Sequence, residues 1–165
     1  MEAAAWGLLG TLVGALTSIG TTWLSTRTSY KIQSAKQAEE RAERAKEFQR
    51  ETLLMLQEAI HDALRLNARA HIEDSERFKA TGDWSRGSLS DEVNEGFRLA
   101  RRRVAILIER VSDESLRSDV KSLMRVSAEG VLAQSKHEAE MNQQAVSVQM
   151  TPLLEKIGSV FRSHY

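Results

Sequence analysis

Residues 48–66, FQRETLLMLQEAIHDALRL, decide the fold class of this 165-residue chain. Apolar residues return here every three or four positions, which is the spacing of one face of an α-helix. A face this broad is typical of a helix in a bundle core and is too wide for a two-stranded coiled coil. We therefore predict an all-α protein. The predicted core face comprises Thr52, Leu53, Met55, Leu56, Ala59, Ile60, Ala63, Leu64 and Leu66.

The C-terminal half continues the helical pattern. A loop is predicted at 81–89, and Ser90 followed by two acidic residues is a typical N-cap. Residues 112–114 predict a second cap, and Thr151-Pro152 predicts the start of a short last helix. We thus predict an antiparallel bundle of three main helices and a short fourth over residues 48–165. Its later core positions are Val93, Phe97, Ala100, Val104, Leu107, Val111, Leu116, Val120, Leu123, Ser127, Val131, Met141, Ala145 and Val148.

Before the bundle, residues 27–47 read as a charged helical stalk. Lysine, arginine and glutamate alternate in sign there and include a favourable i,i+4 pair, Glu40 and Arg44. A narrow seam of alanines runs along the same segment. Such a helix stands in solvent or pairs weakly with copies of itself. The seam consists of Ala35, Ala38, Ala42 and Ala45.

Residues 1–26 predict a transmembrane anchor, because the 24 residues from Ala3 to Thr26 carry no charge. Trp6 and Trp23 lie near its two ends, where aromatic side chains anchor a span at the membrane interfaces. A cleaved signal peptide or a buried core helix are the alternatives.

The first charges after the segment are basic, so the positive-inside rule predicts a single-pass protein of the inner membrane with a cytoplasmic C-terminal domain. These residues, Arg27, Lys31 and Lys36, would also contact anionic lipid.

The same segment has a seam of small residues, which predicts a homo-oligomer. Small side chains let helices pack closely, and hydroxyl groups add hydrogen bonds between them. A pore lined by serine and threonine is the extreme version of this hypothesis. The seam comprises Gly7, Thr11, Gly14, Ser18, Thr21 and Ser25, with Gly10 completing a GxxxG motif.

Composition and motifs argue against most catalytic classes. The chain has no cysteine, and its 23 basic and 23 acidic side chains balance, so a general nucleic-acid binder is disfavoured. Phosphate-binding, dinucleotide-binding and nucleophile-elbow motifs are lacking. Glu58 and His61 form one Glu-x-x-His pair, but a di-iron bundle needs two such pairs and two further glutamates. We predict a protein without enzymatic activity and without a cofactor or metal.

Arg98, Arg101, Arg102 and Arg103 form the densest basic cluster of the sequence. It is a candidate contact for an anion or a partner protein. The helical register also allows a structural role. Arg102 should face solvent, whereas Arg101 and Arg103 flank the apolar face, where salt bridges between helices normally form.

Several stretches carry a resemblance to known proteins. Residues 6–15, WGLLGTLVGA, with Thr22-Trp23-Leu24 and the basic residues that follow, resemble the anchors of small uncharacterised bacterial membrane proteins. Residues 48–54 and 101–104 are similar to helical segments of such proteins, which have no assigned activity. The layout of one span and a helical coil also resembles the inner-membrane spanins of phage lysis systems, whose coils work outside the cytoplasmic membrane.

The leading hypothesis from the sequence is a non-enzymatic scaffold or adaptor. It self-associates through its first helix and presents a helical bundle to an unknown partner protein. The alternative is a membrane-perturbing effector, toxin-like or phage-related, that forms an oligomeric assembly. A metal-binding bundle enzyme ranks last.

Overall fold

The structure is a computed structural model that describes residues 2–84 and 89–165, with side chains at positions 7, 14, 17, 18, 21–23 and from 25 onward. These residues form helices and short connections without any strand, which confirms the all-α class. The helices are α1 (Glu2–Thr81), α2 (Asp91–Ile108), α3 (Glu114–Val131) and α4 (Lys136–Arg162). The chain divides into two units, Met1–Ala45 and Lys46–Tyr165, and α1 contributes to both.

The first unit is a helix with an exposed surface. Every side chain from 25 to 45 is exposed. The Thr21 and Thr22 hydroxyls each donate to the carbonyl four residues earlier, over 2.8 Å in both cases. The expected Glu40–Arg44 pair is present, with 3.9 Å between the charged groups.

The predicted membrane anchor is not supported. Within the part of the chain that the structure describes, no helix combines the length and the apolar character needed to cross a bilayer. Glycine, serine and threonine make up 11 of the 24 residues from Ala3 to Thr26, and their hydropathy lies far below that of leucine. The predicted location in the inner membrane, as a single-pass protein with a cytoplasmic C-terminal domain, is therefore wrong.

The second unit is an antiparallel four-helix bundle, as contacts between its helices show. Glu58 and Arg69 of α1 pair with Arg103 and Glu92 of α2, so these two helices run in opposite directions. The other neighbours are connected in the same antiparallel sense. These contacts are Glu109 to Lys121 between α2 and α3, Asp119 to Lys156 and Gly130 to Asn142 between α3 and α4, and Arg50 to His164 and Asn67 to Gln143 between α1 and α4.

All four helices contribute to one apolar core. Most of the predicted core positions of the first three helices are buried, and Leu53, Leu56 and Leu123 are fully inaccessible to solvent. Ser90 and Asp113 cap α2 and α3 as predicted, each accepting a hydrogen bond from the backbone N–H three residues later. Core packing and caps thus place the three helices as their apolar periodicity indicates.

The last third of the chain differs from the prediction. Instead of one helix to residue 150 and a new one at Pro152, α3 ends at Val131 and α4 runs through Pro152. Ser135 caps α4 by accepting from the Glu138 N–H, and the Glu138 carboxylate accepts from the Gln134 N–H. The new helix start changes the register, so Met141 and Val148, predicted in the core, are exposed.

The segment after α1 is held against the bundle where it begins, at residues 82–84. Gly82 takes a positive φ of 73°, and its N–H donates to the Phe78 carbonyl, which is a common way to end a helix. Trp84 packs edge-on against Phe78, and its indole N–H donates to the Ala133 carbonyl over 3.2 Å. Of the predicted loop at 81–89, residues 85–88 lie outside the described residues.

Candidate functional site: the groove between α2 and α3

An open groove of about 790 Å³ runs between α2 and α3 in the second unit. We call it the α2–α3 groove. Its residues recur at three- and four-residue intervals along both helices, so it follows one face of each. Its floor is apolar and mostly buried, but Leu132 at one end is 62% exposed. The floor is formed by Phe97, Val104, Ile108, Met124, Ala128 and Leu132.

The rim of the α2–α3 groove is predominantly basic. Five cationic side chains, Arg98, Arg101, Arg102, Lys121 and Arg125, line it together with two carboxylates. Both carboxylates have basic partners at the rim. Lys121 contacts Glu109 at 3.1 Å, and Arg125 contacts Glu129 at 2.8 Å. The excess positive charge of the rim therefore belongs to the three arginines of α2.

Arg98 is held by a neighbour outside the rim. Its guanidinium donates two hydrogen bonds to Glu95, of 2.8 and 2.6 Å. The hydrogen bond from Arg98 lowers the pKa of Glu95 below its ordinary value, and the same hydrogen bond raises the pKa of Arg98. Arg98 is thus already engaged in a bidentate pair.

Arg101 and Arg102 have no carboxylate partner among the described residues. The Arg101 guanidinium lies over the Phe97 ring, 5.7 Å from its centre, and so bridges the rim and the floor. Arg102 is exposed on the rim. These two side chains can bind an external anionic group without first breaking an internal ion pair.

The structure divides the predicted arginine cluster. Arg98, Arg101 and Arg102 line the α2–α3 groove, whereas Arg103 points to α1. There it contacts Glu58 at 3.0 Å and Asp62 at 3.8 Å. Arg103 therefore connects two helices of the bundle.

The predicted N-terminal site residues belong to the first unit. Arg27 lies over the Trp23 ring at 5.3 Å, and Lys31 and Lys36 are exposed. Trp6, Gly10 and Thr11 fall in α1, but their side chains lie outside those described. The seam residues with described positions, Gly7, Gly14, Ser18, Thr21 and Ser25, are all exposed.

The Glu-x-x-His pair is not assembled into a metal centre in the described residues. The Glu58 carboxylate contacts Arg103, and His61 is exposed. No group of three or more histidine, cysteine, aspartate or glutamate side chains that could hold a metal occurs in the ranges 2–84 and 89–165.

Sequence reasoning found the arginines of α2 but missed the contribution of α3. Lys121 and Arg125 are spaced four residues apart and lie beside the apolar positions Met124 and Ala128. That combination, a basic pair along the edge of an apolar stripe, was the available signal. The resemblance to small bacterial membrane proteins stays a prediction, since neither a family model, nor a curated protein, nor a solved structure matches the chain.

Proposed function

We propose that this chain is a non-enzymatic adaptor whose helical bundle binds a partner protein in the α2–α3 groove. The observation that carries the proposal is an apolar floor bordered by arginines without carboxylate partners. Interfaces combine an apolar centre with a polar rim, and arginine is enriched in them. The groove has this composition and lies between two helices that are each 18 residues long.

A groove open along its length suits a protein better than a small molecule. Ligand pockets usually enclose 70–90% or more of a drug-sized ligand. Ten of the groove's 16 lining residues are exposed, including Ala105 and Leu132, so a small apolar ligand would keep much of its surface in water. A partner protein can cover the floor and leave its own outer surface solvated.

Site-specific photocrosslinking in cells that produce the protein tests the adaptor function. A photoreactive residue replaces Ala105 in the groove or, as the control, Gln57, an exposed residue of α1 outside it. We expect one protein partner to be captured from position 105 and not from position 57. Capture should be lost when Arg101→Glu and Arg102→Glu are introduced together. Equal capture from both positions, or none, contradicts the proposal.

We further propose that the first unit pairs with copies of itself. Its helix exposes large side chains, with Trp23, Tyr30 and Ile32 between 62% and 69% accessible. A Cβ atom added at Gly7 or Gly14 would meet no other atom within 4 Å, so a second helix has free access to the surface at these two glycines. A second helix could approach closely along the small residues and cover Ile32, which lies on the same face of the helix as the seam.

Gly14→Leu should weaken this self-association at least tenfold, because a large side chain in the seam keeps the two helices apart. Thr26→Leu is the control. It adds a leucine one residue after Ser25 and so about 100° around the helix from the seam. Sedimentation equilibrium of the full chain measures both variants. The same dissociation constant for Gly14→Leu and the unsubstituted protein would exclude the seam as the contact.

A further inference from the structure

We infer that the partner segment bound in the α2–α3 groove is an amphipathic helix whose apolar face is flanked by carboxylates. The inference rests on the proposed adaptor function and adds the chemistry of the partner. Two independent observations support it: the shape of the groove and the sign of the charge along its rim.

The shape of the groove fits a helix. Two antiparallel helices leave a furrow that a third can occupy, with side chains at i, i+3, i+4 and i+7 as anchors. The groove supplies apolar surface along both helices, from Phe97 and the exposed Ala105 on α2 to Met124 on α3. Leu132, exposed at one end, offers a further apolar contact for such an anchor.

The positive charge of the rim favours a partner that carries carboxylates. After the pairs to Glu109, Glu129 and Glu95 are formed, the remaining charges are those of Arg101 and Arg102. Both line the groove, Arg101 over the Phe97 ring and Arg102 exposed on the rim, so two cations without carboxylate partners border the apolar floor. An arginine fork binds a carboxylate with two parallel hydrogen bonds, which makes glutamate or aspartate beside the apolar face the complementary group.

A basic or neutral helix fits this rim less well. Lysine or arginine beside the apolar face would lie against Arg101 and Arg102, and like charges that meet at an interface are costly. A neutral helix would cover the floor but leave the two guanidinium groups without partners. Among helices whose apolar faces fit the floor equally well, the acidic helix should therefore bind most tightly.

Three synthetic helical peptides of about 18 residues, the length of α2, test the inference. The first carries leucines on one face flanked by glutamates, the second has lysine in place of each glutamate, and the third has serine in place of each leucine. Fluorescence anisotropy measures their binding to the full chain. We expect the acidic peptide to bind at least tenfold more tightly than either of the others, with affinity falling as salt rises.

Charge reversal at the rim provides the decisive comparison. Arg101→Glu together with Arg102→Glu should weaken the acidic peptide about tenfold and strengthen the basic one, because the sign of the rim changes. Both residues are exposed, so the bundle should stay folded. The control is Arg41→Glu with Arg65→Glu, which alters the net charge equally at exposed positions outside the groove. Leu132→Ser should weaken the acidic peptide through loss of an apolar contact.

The outcomes separate this inference from the adaptor function. If position 105 captures a protein but the acidic peptide has no advantage or ignores the charge reversal, the adaptor function stands and the acidic helix is wrong. If position 105 captures no protein and the acidic peptide has no advantage, both the adaptor function and the acidic helix are wrong. The inference is also overturned if oleate binds and the peptide does not. The same holds if the double reversal dissociates the full chain's own oligomer, since the groove would then hold a second copy.

Discussion

Leu53→Ala should destabilise the bundle by about 3 kcal/mol, whereas Leu54→Ala should change its free energy of unfolding by less than about 0.5 kcal/mol. The two leucines are neighbours on α1 with the same intrinsic helix propensity. Leu53 is fully buried in the core, and Leu54 is 56% exposed. Truncating Leu53 removes apolar contacts and leaves a cavity, whereas truncating Leu54 removes a side chain that is largely in water.

Urea unfolding followed by tryptophan fluorescence measures this difference. The chain has three tryptophans, so Trp6→Phe and Trp23→Phe leave Trp84 as the reporter. Trp84 contacts Phe78 and the Ala133 carbonyl in the bundle and should report its unfolding. We expect the midpoint to fall for Leu53→Ala at an unchanged slope. Equal midpoints for the two alanine variants would place residue 53 outside the core.

The sequence predicted most of the bundle because its first three helices follow one period. Where apolar residues recur every three or four positions and a Ser or Asp precedes them, as at Ser90 and Asp113, both the caps and the buried faces are found as predicted. The strong local signal and the packed structure agree at these positions.

The sequence prediction fails over the last third of the chain because two local signals compete with the apolar period there. Ser135-x-x-Glu138 is a capping-box pattern, which marks a helix start that the apolar spacing of Met141 and Val148 concealed. The pair Thr151-Pro152 predicts a helix start, yet the structure has Pro152 inside α4. Proline fits a helix interior when packing compensates for the missing hydrogen bond, and the next residue, Leu153, is buried in the core.

The candidate site was predictable only in part, because a groove is a property of two helices. The sequence shows that Arg101 and Arg102 lie near an apolar face. It does not show that α3 lies opposite with Lys121 and Arg125, or that Arg98 is taken up by Glu95 while Arg103 bonds to α1. Which arginines remain available to bind a partner depends on the carboxylates that pack next to them. The sequence alone does not show which carboxylates these are.

A buried polar contact between α1 and α4 carries the second large effect. Asn67 is 3% exposed, and its side-chain amide donates to the Gln143 side-chain oxygen over 2.9 Å. Gln143→Met keeps the size of the side chain but removes the acceptor, so the Asn67 donor is left without that partner. We expect a loss of about 2 kcal/mol, the cost of desolvating an amide without its hydrogen bond.

Adding Asn67→Leu to Gln143→Met should restore most of the lost stability. Replacing both partners by apolar groups of similar shape is often close to neutral, because no buried polar group remains. Gln144→Met, at the exposed neighbouring position of α4, is the control and should leave the midpoint unchanged. The Trp84 unfolding assay measures all three. Additive losses in the double variant would mean that Asn67 and Gln143 stabilise the bundle separately. If the double variant regains the lost stability, the Asn67–Gln143 pair contributes little net free energy. Its main effect is then to disfavour packings of α1 against α4 in which the two side chains do not meet.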